Sequence, residues 1–185
     1  MEPRTLVRIS KYLSKHLRHE PQHLGLQLDP GGWVSVDALL AACAAHHFPI
    51  TREQLVEVVR SNDKQRFAFD PSNTRIRANQ GHSTPVDLQL EPAPPPHVLY
   101  HGTPSSNVEI ILRDGLSKMA RHHVHLSATV AAAELVGKRR GRPVVLVVDA
   151  DAMCRDGLVF YCSENGVWLT DHVPPKYLRP LQEAS

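Results

Sequence analysis

Cysteine is scarce. Cys43, Cys154 and Cys162 are the three in 185 residues. They are odd in number and nowhere spaced as CxxC, which excludes a disulfide framework and a zinc knuckle. They read as packing residues. No apolar run approaches the roughly 20 residues of a membrane span, and residues 1–10 (MEPRTLVRIS) lack the apolar centre of a secretory signal. The expected location is the cytoplasm. GxGxxG, the phosphate-binding turn of the doubly wound dinucleotide fold, is also missing, so a dinucleotide would bind here by another geometry. No repeat recurs, and compositional bias is confined to one proline-rich stretch. Neither sign of charge dominates: 21 Lys and Arg against 19 Asp and Glu give a net +2 at pH 7. That balance is too mild for a protein that binds nucleic acid over its whole surface, and local clusters must carry any such role.

What is present fits a folded chain, with 42% apolar and 22% charged residues. Twelve histidines are compatible with metal binding, acid–base chemistry or a polar surface, and their placement has to decide. The prolines of Glu91-Pro92-Ala93-Pro94-Pro95-Pro96 lack amide donors and favour stiff, extended backbone. This stretch divides the chain into a first lobe at 1–90, a linker at 91–97 and a second lobe at 98–185.

In the first lobe, Leu6, Ile9, Leu13 and Leu17 recur at helical spacing, with Ser10, Lys11, Ser14, Lys15 and Arg18 on other faces. Ser35 caps a second helix, and Thr51-Arg52-Glu53-Gln54 is a capping box opening a third. Asp70-Pro71-Ser72-Asn73 is a turn between Arg66-Phe67-Ala68-Phe69 and Arg75-Ile76-Arg77-Ala78, which predicts a hairpin. Three helices and a hairpin suggest a winged-helix lobe, serving either to dock nucleic acid or as a scaffold. In the second lobe, strands are predicted at 98–101, 124–126, 144–148, 158–160 and 167–169, with helices over 107–113 and 129–140. Many short strands with two helices give an α+β fold class and argue against a doubly wound sheet.

Arg18 and His19 close the first helix before Glu20-Pro21, where the chain must leave helical geometry. Arg66 stands where the hairpin begins, and Arg121 precedes His122-His123-Val124-His125. Taken singly, each is a surface charge or a helix C-terminal cation. The set is informative. Leu17-Arg18-His19, Asp63-Lys64-Gln65-Arg66-Phe67, Arg77-Ala78-Asn79-Gln80-Gly81-His82-Ser83, Tyr100-His101-Gly102-Thr103, Arg121-His122-His123-Val124-His125-Leu126-Ser127 and Glu164-Asn165-Gly166-Val167-Trp168-Leu169-Thr170 together resemble the RNA 2′-phosphotransferase family of the KptA type. The resemblance spans nearly the whole chain, in order. It implies an N-terminal winged helix, a C-terminal lobe of the ADP-ribosyltransferase fold, and a catalytic quartet at Arg18, His19, Arg66 and Arg121. It also implies NAD as co-substrate, with His101, Gly102 and Thr103 as the first element of its site, and a tRNA-like, 2′-phosphorylated RNA as the partner. No obligate protein partner is evident.

The chemistry fits. A phosphomonoester carries nearly two negative charges, and arginine forks match its oxygens with paired, charge-assisted hydrogen bonds. Attack of that phosphate on the C1″ carbon of NAD, with loss of nicotinamide, needs positioning more than a base. Attack by the adjacent 2″-hydroxyl then frees the RNA 2′-hydroxyl and gives ADP-ribose 1″,2″-cyclic phosphate. His19 suits the role of proton donor, or of a further phosphate contact. The resemblance supplies no catalytic glutamate, and a carboxylate beside an incoming dianion would repel it. The cations and His19 are expected to meet in one cleft.

His123 and His125 lie two apart on a strand and share a face. Without a third ligand they make a poor zinc site, and no metal is expected. His125 and Ser127 are assigned to the NAD pocket instead. Lys138-Arg139-Arg140-Gly141-Arg142 is a solvated basic run or a contact to RNA backbone. Gln80-Gly81-His82-Ser83 looks like a turn, and Trp33 and Trp168 like core. Two other functions remain open. One is an ADP-ribosyltransferase that stops after the first step, capping nucleic-acid phosphate ends; the other is a non-enzymatic winged-helix module with a ligand-sensing lobe.

Overall fold

The computed structural model describes residues 1–61, 65–138 and 143–181. The chain is α+β and divides into two compact units, Met1–Gln89 and Leu90–Ser185.

The first unit opens with α1 (Pro3–Arg18), which buries Ile9, Ser10, Leu13, His16 and Leu17. Ser10, expected on a polar face, is therefore inside. It lies three residues before Leu13 and seven before Leu17, so the buried stripe is wider than the leucine spacing alone indicates. α2 (Val36–Ala45) starts at Ser35, whose side chain accepts from the Ala38 amide. α3 (Arg52–Arg60) starts with the reciprocal capping box of Thr51 and Gln54. A cap of this kind contributes about 1 kcal/mol.

The predicted hairpin forms from β2 (Phe67–Phe69) and β3 (Arg75–Ala78). Its turn is fixed by Asp70, whose carboxylate accepts from the Thr74 and Arg75 amides, both at 2.9 Å, and from the Ser72 hydroxyl. Those donors, the Arg75 amide first, hold its pKa down at about 2. A further strand, β1 (Trp33–Ser35), pairs with β3 to give the antiparallel order β1-β3-β2. The central Ile76 faces Val34 on one side and Phe69 on the other and is fully buried. Trp33 is only half-buried, with the Arg77 guanidinium 4.6 Å from its ring centre and that of Arg75 at 5.6 Å. It is a surface cation–π platform and not a core residue.

The second unit is built on β4 (Val98–Pro104) paired along its full length with β7 (Pro143–Asp149), and β11 (Leu178–Pro180) lies on the far side of β7. A second antiparallel sheet has the order β6-β9-β8, from Val124–Leu126, Trp168–Thr170 and Tyr161–Cys162. Tyr100 and Ser127 exchange backbone hydrogen bonds at 2.9 and 2.8 Å and join β4 to the end of β6. β5 (Leu116–Ser117) pairs with β10 (His172–Val173).

Three α-helices are present here among the described residues: α4 (Val108–Asp114), α5 (Val130–Gly137) and α6 (Ala150–Arg155). The last was not expected. It is too short to show periodicity, yet Asp149 caps it by accepting from the Ala152 amide at 2.9 Å. Its C-terminal wrap consumes the strand expected at 158–160: Gly157 takes φ +84 and the Leu158 amide donates back to the Met153 carbonyl. The strand therefore begins at Tyr161.

The proline-rich stretch is tied to this second unit by the Ala93 amide, which donates to the Phe160 carbonyl at 2.8 Å. Cys43 is buried, but Cys154 and Cys162 are exposed, which corrects the reading of all three as packing residues. Among the described residues no helix is long and apolar enough to cross a membrane.

Candidate functional site

In the first unit the candidate residues gather where α1 ends. Pro21 follows closely and His19 leaves helical geometry at φ −123°. The carbonyls of a helix's last turn need external donors. Here the Arg18 carbonyl is met by a segment far along the chain, accepting from the amides of Ser83 at 2.9 Å and Thr84 at 3.2 Å. That return also places the Ser83 hydroxyl 2.8 Å from His19 Nδ1. Residues 80–83 are thus more than a turn: they lock the end of α1.

Arg66 is fixed from the same side. Its carbonyl accepts the Asn79 amide at 2.9 Å and a guanidinium hydrogen of Arg18 at 3.4 Å. The buried Asn79 side chain donates to the Gln65 carbonyl at 2.7 Å. Gln65 itself takes φ +39, a left-handed conformation that costs a residue with a Cβ. Arg18 and Arg66 are half-buried and His19 is exposed. Three of the four quartet positions therefore stand together on this unit, cross-linked through backbone. Asn79 and Ser83 fall within a string quoted above, but nothing in its residue types marked them as the residues that position the others.

In the second unit, β4 carries Tyr100, His101, Gly102 and Thr103. A Cβ on Gly102 would stand 1.7 Å from the Ala133 carbonyl oxygen, so α5 seats directly on the strand there. Gly102 is thereby explained by packing. Side chains alternate along a strand, so His101 and Thr103 turn to the face away from α5.

His101 Nδ1 lies 3.2 Å from the His125 carbonyl. A carbonyl only accepts, so Nδ1 carries the proton and Nε2 presents a lone pair. Burial first, and the neighbouring Arg121 charge second, push the His101 pKa down and keep the ring neutral. Arg121 is set by a turn in which its amide donates to the Lys118 carbonyl at 3.0 Å, with Met119 at φ +52. Its guanidinium reaches His125 Nδ1 at 3.3 Å. Ser127 is held against Tyr100 by the paired backbone bonds. His101, Arg121, His125 and Ser127 are therefore linked on this unit.

The other histidine of the pair, His123, packs its ring 5.4 Å from that of Tyr161, and burial lowers its pKa. Among the described residues no three His, Cys, Asp or Glu stand together as metal ligands. Trp168 is half-buried and packs against the second unit's core. Of the basic run, only Lys138 is described; residues 139–142, like Asp63 and Lys64, lie outside the described residues.

Could these residues hold a dinucleotide? A neutral imidazole whose free nitrogen accepts is suited to a ribose hydroxyl, and a guanidinium beside it to a phosphate oxygen. The molecule is α+β, and each of its two units holds arginine and histidine side chains at defined positions.

The comparisons are more specific. The profile of the RNA 2′-phosphotransferase, Tpt1 / KptA family matches residues 4–172. A protein of Trichormus variabilis named "Probable RNA 2′-phosphotransferase" is 61% identical over 181 residues, covering 98% of this chain and 100% of the relative. Those of Nostoc punctiforme and Streptomyces coelicolor, with the same name, are each 59% identical; the former covers 98% of this chain and 100% of the relative, the latter 97% of each. This chain belongs to the RNA 2′-phosphotransferase, Tpt1 / KptA family, an enzyme family named for transfer of an RNA 2′-phosphate.

Proposed function

We propose that this protein removes an internal 2′-phosphate from a tRNA-like RNA in the cytoplasm, with NAD as co-substrate. The products are RNA with a free 2′-hydroxyl, nicotinamide and ADP-ribose 1″,2″-cyclic phosphate. Family membership supports the transfer. The observation that carries the reading is the gathering of Arg18, His19 and Arg66 on one unit, each position held by bonds that leave little freedom to drift.

In this reading the first unit is a winged helix, in keeping with three helices, a hairpin and a short strand between the first two helices. The second unit is ADP-ribosyltransferase-like. Arg18 and Arg66 grip the 2′-phosphate with charge-assisted hydrogen bonds, and Arg121, on the second unit, is the further cation of the quartet. Pre-set donors of this kind act without reorganising as charge moves in the transition state.

His19, hydrogen-bonded at Nδ1 to Ser83, directs Nε2 to the ester and protonates the departing RNA 2′-oxygen. His101 receives a ribose hydroxyl of NAD at Nε2, and His125, Ser127, Gly102 and Thr103 complete the pocket. NAD, when bound, supplies the ADP-ribosyl group that takes the phosphate. The chain's own residues bind, orient and, through His19, deliver one proton.

The test is to mix the protein, NAD and a 2′-phosphorylated oligonucleotide and to identify the products. Release of ADP-ribose cyclic phosphate with equimolar nicotinamide is the expected result. A stable ADP-ribosylated oligonucleotide as the sole product would favour a capping transferase, and no nicotinamide release would favour a binding module.

A further inference from the structure

The solvent side of α1 has a charge pattern that the reaction does not use. Arg4, Arg8, Lys11 and Lys15 are all exposed. Their spacing of four, three and four residues stacks them on one ridge about 16 Å long, opposite the buried face of Ile9, Leu13 and Leu17. The ridge runs into Arg18 and His19.

An ordinary solvated helix face mixes signs at this spacing. The segment PRTLVRISKYLSKHLR contains no carboxylate at all. Among the described residues, Lys15 pairs with Glu20 at 3.1 Å, whereas Arg4, Arg8 and Lys11 meet no carboxylate. Arg4 and Arg8 also occupy the N-terminal half of the helix, where the macrodipole favours anions and disfavours cations. The pattern therefore works against the stability of α1. One of these side chains is pre-seated: the Arg8 guanidinium lies 5.3 Å from the Phe48 ring centre, and Phe48 stacks on Tyr12 at 3.8 Å. A held cation loses less freedom on meeting a ligand.

We infer that this ridge is the track for the RNA backbone flanking the 2′-phosphate, with successive phosphodiesters contacting Lys15, Lys11, Arg8 and Arg4 as the strand leads away from Arg18 and His19. The inference rests on the function proposed above, since that reading seats the 2′-phosphate at the ridge's end. An RNA strand is the occupant because a row of like cations in line with a phosphate site complements a polyanion of regularly spaced charge.

The test measures binding of the full chain, without NAD, to a 2′-phosphorylated dinucleotide and to a 2′-phosphorylated single strand of about a dozen nucleotides, within the span such sites cover. For the double variant Arg8→Gln with Lys11→Gln, the slope of log K against log salt for the long strand should shrink by about 1.4, or roughly 0.7 per cation removed. Affinity for the dinucleotide, and turnover of it, should stay as in the unmodified protein. Arg4→Glu should weaken the long strand while raising the melting temperature, a combination that loss of folding cannot produce.

An unchanged slope, an equal loss on the dinucleotide, or competition by polyglutamate as effective as by RNA would overturn the ridge. Ridge-dependent binding in a protein that releases no nicotinamide would keep the ridge and reject the transfer reaction.

Discussion

His19 and His101 are two of the histidines assigned to function, and their surroundings differ in kind. His19 is exposed at a helix end, follows Arg18 directly and is bonded to a serine hydroxyl. His101 is half-buried on a strand, with Nδ1 committed to a backbone carbonyl and a pKa pushed below the ordinary imidazole range. Burial and the neighbouring Arg121 charge favour the neutral form of the second, whose Nε2 is left as an acceptor. Both rings are engaged at Nδ1, and the difference lies in the partner and in burial: a serine hydroxyl, which can donate or accept, beside the exposed ring, and a carbonyl, which only accepts, beside the half-buried one.

The sharpest way to break that comparison is to remove a cation from the first group. Arg66→Ala should cut turnover by about a thousandfold or more, as loss of a pre-set donor does, with circular dichroism unchanged; near-normal turnover would remove Arg66 from the site. On the second unit, Gly102→Ala should destabilise by about 3 kcal/mol, read from denaturant unfolding, because its Cβ would run into the α5 backbone. A neutral result would mean that α5 does not seat on β4 as described.

The pH response sharpens the contrast further. A histidine whose folded pKa lies below the unfolded value of about 6.5 binds fewer protons in the fold, so its stability is fully present above that pH and declines as pH falls toward the folded pKa. His101→Gln should therefore lose less stability between neutral pH and the acid side than the unmodified protein. Part of the slope will remain, because burial lowers the pKa of His16 and His123 as well. Smallest of all, Thr51→Ala removes half of the capping box that opens α3, a position with no assigned part in the reaction. It should cost about 1 kcal/mol and leave turnover unchanged.

Much of the first unit was legible because its signals are local: helical spacing in α1, two side-chain caps, and an Asp-Pro-Ser-Asn turn each act over a few neighbouring residues. β1 was missed because three residues before a cap carry no period, and their pairing with β3 is a long-range event. The second unit was harder for the same reason. β5 and β10 have two residues each, and α6 depends on one aspartate cap. Arg18, His19, Arg66, Arg121 and His101 could be singled out because several ordered strings resemble one family. Asn79 and Ser83 could not, since what they do depends on where the 79–84 segment returns, which no spacing within it records. Nor does the sequence announce that α5 occupies the Cβ direction of Gly102.

In the proposed function the cations at the end of α1 read the charge of a 2′-phosphate. The direct measurement compares the affinity of the full chain, without NAD, for one oligonucleotide carrying a single 2′-phosphate and for the same strand with a 2′-hydroxyl. Charge-assisted hydrogen bonds contribute about 1.5–3 kcal/mol each, so the phosphorylated strand should bind at least tenfold more tightly, and Arg66→Ala should erase most of that preference. Equal affinity for the two strands would contradict the claim.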